Sequence, residues 1–222
     1  MLRWLGNALT SSVGRKIVMG LTGLLLVGFL VEHLAGNLKL FEDADGAAFH
    51  KYKEWLESFG PLLTVAEVGL FLLFGAHIVI ALKLSVENRE ARRSRYVIRS
   101  SRGQSNAASL SMLITGSLIL IYLVKHVFFD FRFDGGYQDE PALTVKRTLA
   151  SPLNGFFYLA AMGILGLHLA HGFRSAFQSL GISHPKLDPL LDRGGIAVAV
   201  ILAVGFAAIP IYYLFLWNGG AP

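Results

Sequence analysis

Residues 17–38 read "IVMGLTGLLLVGFLVEHLAGNL". The stretch is hydrocarbon almost throughout, with one acid and one histidine side by side at Glu32 and His33. At ~1.5 Å per residue, a run of this length crosses a hydrocarbon core of ~30 Å. Inside lipid the backbone must satisfy its own hydrogen bonds, so such a run is a helix. Four further runs have the same character: 61–82, 107–129, 153–173 and 195–217. The blocks are continuous and do not alternate with period two, which argues against a barrel. The whole chain, 222 residues, is 54% hydrophobic and only 16% charged. The reading is all-α: one polytopic domain over residues 1–222, a bundle of five transmembrane helices.

There is no cysteine, so the chain holds neither a disulfide nor an iron–sulfur cluster of its own. The net charge of +5 is assigned to loops on one side of the membrane rather than to nucleic acid. Of the 20 Lys and Arg residues, 13 fall on the side of the N-terminus and of the second–third and fourth–fifth loops. The positive-inside rule makes that side cytoplasmic and puts the C-terminus outside. The opposite side is acidic, with Glu42, Asp43, Asp45, Asp130 and Asp134 among its residues. Arg15 and Lys16 before the first run, and Ala35 and Gly36 after it, resemble a signal peptide, but the length of the run and the polar Glu32–His33 pair argue against cleavage. The basic loop "ENREARRSRYVIRSSRG" is a topology determinant with some capacity for partner or anionic lipid. Residues 42–58 predict a short amphipathic helix on the outer face, with Trp55 and Phe59 toward lipid or neighbouring spans. No repeat of 20–50 residues is visible, nor related halves.

Five of the seven histidines fall inside spans: His33, His77, His126, His168 and His171. An ionisable residue at membrane depth is a functional hypothesis. His33 lies six residues before Lys39, His126 six before Arg132, His77 six before Lys83 and His168 six before Arg174. Each is therefore ~9 Å inside its boundary. Because the spans alternate in direction, His33 and His126 share an outer level, and His77 and His168 an inner one, ~12 Å apart along the normal. His171, one turn from His168, competes with it, and spacing alone separates the two poorly.

Two imidazoles at one depth on different helices suit a metal between them. Zinc wants about four protein ligands or an open catalytic position, and no carboxylate or cysteine completes a set. Haem iron needs only two axial ligands, and bis-histidine ligation favours electron transfer. Gly36 beside His33 and Gly172 beside His168 fit a flat macrocycle, or equally close helix packing. The assignment is an outer haem b on His33 and His126 and an inner haem b on His77 and His168.

The motifs "RKIVMGLTG" and "VEHLAGN" in span one, "FGAHIVIAL" in span two, "YLVKHVFF" in span three and "HLAHGFRSAFQSLGI" leaving span four resemble a known family. The chain is similar to the single-chain, five-helix, two-haem cytochrome b membrane-anchor subunits of succinate:quinone oxidoreductases, which include succinate dehydrogenases and fumarate reductases. The resemblance implies ligands at His33, His77, His126 and His168. It favours His168 over His171, because the family ligand stands thirteen residues before a glycine and His168 stands so before Gly181. It also implies a flavoprotein subunit with FAD and an iron–sulfur subunit on the cytoplasmic face, a location in the cell inner membrane, and succinate oxidation on those partners rather than here. Electrons would pass through the inner and then the outer haem to menaquinone or ubiquinone, or in reverse toward fumarate. A higher oligomer of the complex is compatible with this. Quinone protonation would fall to Glu57 or Glu67, with Glu32 a further acid beside the outer ligand. Haem propionates would look to Arg15, Lys16 and Arg174 inside, and to Lys39 and Arg132 outside.

The rivals are a haem-free anchor or assembly protein with helix-bridging histidines, a proton-coupled transporter, and the cytochrome b of another dehydrogenase. Transporters tend to have interrupted helices in related halves. Here the only deep proline is Pro210, in span five.

Overall fold

The computed structural model describes residues 11–91, 106–131, 136 and 139–217. Five long helices run through it: α1 (Ser12–Leu38), α3 (Pro61–Ala91), α4 (Asn106–Val124), α6 (Pro152–Ser179) and α7 (Asp188–Phe215). Two short ones, α2 (Ala47–Glu57) and α5 (Pro141–Ala150), lie between spans. Each of the five is long and apolar enough to cross a membrane. The protein is an all-α, multi-pass bundle.

Local chemistry sets the ends. Ser11 caps α1 by accepting the Gly14 N–H at 3.0 Å. Pro61 and Pro152 open α3 and α6, where a missing N–H costs nothing. Gly181 ends α6 with φ +79°, a conformation L side chains rarely adopt. The expected runs are extended by these signals. The first apolar helix reaches from Ser12 to a 3₁₀ turn at Phe41, the second to Glu90, and the fifth begins at Asp188.

The helix α6 is the hub. It packs on α7 most extensively and also on α1 and α4. At Gly20 of α1 a Cβ would meet the Ala176 carbonyl oxygen of α6 at 2.8 Å, so only glycine permits this approach. The helix α3 packs on α1 alone among the extensive pairings, and none of its described residues is buried. Its exposed Phe71 and Val65 suit lipid tails.

The outer end is capped. Helix α2 lies close to its predicted place, with Trp55 and Phe59 exposed. Its Tyr52 hydroxyl donates to Glu32 at 3.5 Å, and burial together with that carboxylate pushes the phenol pKa up. Helix α5 was not foreseen. Ala142, Val145 and Leu149 form its apolar stripe, and they join Leu40, Tyr158 and Tyr213 in a buried cluster over the outer histidines. Lys146 is buried there too and donates to the Ala44 carbonyl at 2.7 Å, tying α5 to the start of α2.

Asp130 is one of the acidic residues assigned to the outer side. Asp130 is buried, because the chain after Val124 winds as a π-helical turn, Lys125–Phe131. That turn stacks residues five apart, which an α-helix would point in different directions. Lys125 therefore lies over Asp130 and donates to its oxygens at 2.5 and 2.8 Å. Arg132 and the basic loop residues 92–105 lie outside the described residues.

Candidate functional site

At the outer level the His33 and His126 rings face each other with centroids 5.9 Å apart, at 88°. His33 stacks on Phe29 and leans on Phe206 of α7. Asn37, one turn on, donates to the His33 carbonyl at 2.8 Å and stands 3.4 Å from His33 Nε2. His126 rides on the π turn, stacked on Tyr122. Its Nδ1 is 3.1 Å from the Tyr158 hydroxyl, which donates to Asp130 Oδ2 at 2.7 Å. A cavity of about 40 Å³ adjoins the pair, with Val145 and Leu149 of α5 in its wall.

At the inner level His77 and His168 make the same contact twice. Thr22 Oγ1 is 3.0 Å from His77 Nδ1, and Thr115 Oγ1 is 3.1 Å from His168 Nδ1. Each threonine also donates to its own helix, Thr22 to Met19 O at 3.1 Å and Thr115 to Ser111 O at 2.7 Å. A carbonyl can only accept, so with the hydroxyl proton placed on it the threonine oxygen can accept an imidazole Nδ1–H. Tyr158, whose proton goes to Asp130, offers His126 the same acceptor. In that arrangement Nε2 of each ring keeps its lone pair, the form in which a neutral imidazole binds a metal. Thr22 and Thr115 are both buried.

The glycines next to these rings are not the expected ones. Gly36 stands against the Tyr52 ring and Gly172 against Met112. Gly23 and Gly116 flank the ligands instead: a Cβ on either would lie 3.4 Å from His77 Cε1 or 3.5 Å from His168 Cε1. His171 is exposed, and its Nδ1 is 2.9 Å from the Leu167 carbonyl on its own helix. Thr22, which meets His77, and His33 stand on one helix eleven residues apart, ~16 Å along its axis.

The other sequence-predicted residues fall as follows. Glu57 is exposed and pairs with Lys53 at 3.3 Å. Glu67 is exposed on α3, toward its outer end. Lys39 pairs with Glu42 at 2.5 Å, and Lys16 is exposed. Arg15 reaches Glu87 of α3 at 2.8 Å. Arg174 reaches Asp192 of α7 at 2.9 Å, while its buried Nε finds no partner.

A signal for the threonines exists in the sequence at a longer period than 20–50 residues. Met19, Thr22, Gly23 and His33 recur as Met112, Thr115, Gly116 and His126, each 93 residues on. Pro61, Gly75 and His77 recur as Pro152, Gly166 and His168, each 91 residues on. The absence of related halves is thus corrected: spans one and two form a hairpin that spans three and four repeat. Each level takes one histidine from each hairpin.

The outer pair has the ring spacing that a haem iron between two imidazoles would need. Two metal–imidazole bonds of ~2.0–2.1 Å place ring centres about 6 Å apart, which matches the His33–His126 separation. Neither α1 with α4 nor α3 with α6 is an extensively packed pair. Among the described residues, no group of three or more His, Cys, Asp and Glu is arranged to hold a metal unaided. No family model, curated protein or solved structure matches the chain.

Proposed function

We propose that the protein is a dihaem cytochrome b that anchors a peripheral dehydrogenase and carries electrons between it and a quinone in the membrane. The observation that supports the reading is the recurring hydroxyl contact at Nδ1 of His77, His168 and His126, made by Thr22, Thr115 and Tyr158. Haem, when bound, supplies one-electron carriage at an iron with no open position. The chain's own residues do the rest. His33 and His126 hold the outer group, and His77 and His168 the inner one. The threonines orient the inner rings, and the apolar spans exclude water.

Two levels ~16 Å apart make sense for a protein that moves electrons across the bilayer. The likeness to succinate:quinone oxidoreductase anchors supplies the partners: a flavoprotein and an iron–sulfur subunit on the basic face, taken as cytoplasmic. For the quinone, Glu67 is preferred over Glu57. It occupies in the first hairpin the place that Tyr158 holds in the second, 91 residues on, whereas Glu57 is tied to Lys53 on the cap.

The test is a reduced-minus-oxidised spectrum with a pyridine haemochrome count on the purified chain. About two b haems per chain are expected. A colourless protein would leave the haem-free anchor, which the same threonine–histidine bridges would also serve.

A further inference from the structure

The two levels differ in what lies behind the imidazole. Behind His77 and His168 stand neutral hydroxyls that discharge onto backbone carbonyls. Behind His126 the hydroxyl of Tyr158 discharges onto a carboxylate, Asp130 Oδ2, at 2.7 Å. Asp130 is buried and grips the Lys125 ammonium through both oxygens. The arrangement depends on the π turn, since only a five-residue spacing brings Lys125 over Asp130. The first hairpin does not build it. Its corresponding positions hold Glu32, Asn37 and Glu67 in place of Lys125, Asp130 and Tyr158.

We propose that Asp130, clamped by Lys125 and joined to His126 through the Tyr158 hydroxyl, is a positioning residue that sets the electron affinity of the outer haem alone. The inference rests on the dihaem reading. Its physical basis is that a carboxylate accepting the phenol proton makes the phenol oxygen a better acceptor for Nδ1–H. The imidazole then carries more negative charge and becomes a stronger donor at Nε2. A stronger axial donor favours the ferric state, so the outer centre gives up its electron more readily than a hydroxyl-backed one would. Lys125, bonded to both oxygens, holds the buried carboxylate in place. The inner centre, with no charge in its chain of contacts, is untouched.

The experiment is a spectroscopic redox titration of the full-length chain in membranes, with the outer centre identified by its loss in His33→Ala. Asp130→Asn and Tyr158→Phe are both small changes in shape, and each should raise the ferrous-to-ferric ratio of the outer haem about tenfold at fixed potential. That is ~59 mV upward for one electron. The inner midpoint should not move. Because the two residues act in series, the double variant should shift no further than the larger single one. Asp130→Glu should recover part of the shift, and the low-spin ferric EPR signal of the outer haem should change with the midpoint. Two bound haems with the outer midpoint unmoved in both variants would overturn the inference and leave the dihaem reading standing. So would an inner midpoint that moves by the same amount. A wild-type chain without haem would overturn both.

Discussion

Spans one and two and spans three and four carry the same marks at the same intervals, yet they are embedded differently. The second hairpin ends in α6, which α1, α4 and α7 surround and α5 caps. The first ends in α3, whose extensive packing is on α1, through Phe74 on Phe29, His77 on Thr22 and Arg15 on Glu87. Recurrence of ligand and hydroxyl therefore does not entail recurrence of packing. What the hairpins share is the geometry a metal-binding imidazole needs. The difference lies in how much of that geometry protein contacts secure without the bound group.

The strongest way to break the comparison is to remove ligands one at a time. His33→Ala and His126→Ala should each cost the outer haem, and His77→Ala and His168→Ala the inner one. The haemochrome count should fall from about two to about one per chain, while His171→Ala keeps both. Loss of haem on His171→Ala with retention on His168→Ala would reverse their roles. Next in size is the effect of the group itself on the peripheral helix. Haem-free protein should show amide hydrogen exchange rising in α3 well before α6 or α7, because α3 has the fewest contacts of its own. Equal protection in the two hairpins would mean that α3 is held by something else.

Substitutions beside the inner rings sharpen the symmetry. Gly116→Leu pushes side-chain atoms into the space held by His168 Cε1 and should lose most of the inner haem while keeping the outer. Thr115→Val, which leaves His168 Nδ1–H without an acceptor, should weaken inner haem retention by roughly 10–100-fold, and Thr22→Val by a similar factor. Haem dissociation into an apoprotein acceptor measures both. Unequal responses would show that the hairpins are repeated in sequence but not in energetics. Smallest should be Glu87→Gln, which breaks a partly exposed pair with Arg15 at 2.8 Å. It should cost about 0–1 kcal/mol, seen as a slight fall in thermal midpoint.

Much of the candidate site was legible in the sequence. His33, His77, His126 and His168 could be placed by counting residues to the nearest charged boundary. Thr22 and Thr115 were passed over as neutral residues in apolar runs, and the 93-residue recurrence that marks them exceeds the periods usual for repeats. The partnership of Asp130 with Lys125 needs a π turn, which no residue pattern announces. Gly36 suits a macrocycle or close packing equally as sequence, and the structure gives its space to the Tyr52 ring.

The chain by itself determined the number of long apolar helices and the order in which the histidines fall along them. A backbone in hydrocarbon must satisfy its own hydrogen bonds, so each long apolar run is helical whatever its neighbours. Only the tertiary structure decided which helix is the hub, which hydroxyl faces which ring and that a carboxylate stands behind His126. Those depend on the rotation of each helix about its axis, and that rotation is settled by side chains meeting across helices, far apart in sequence.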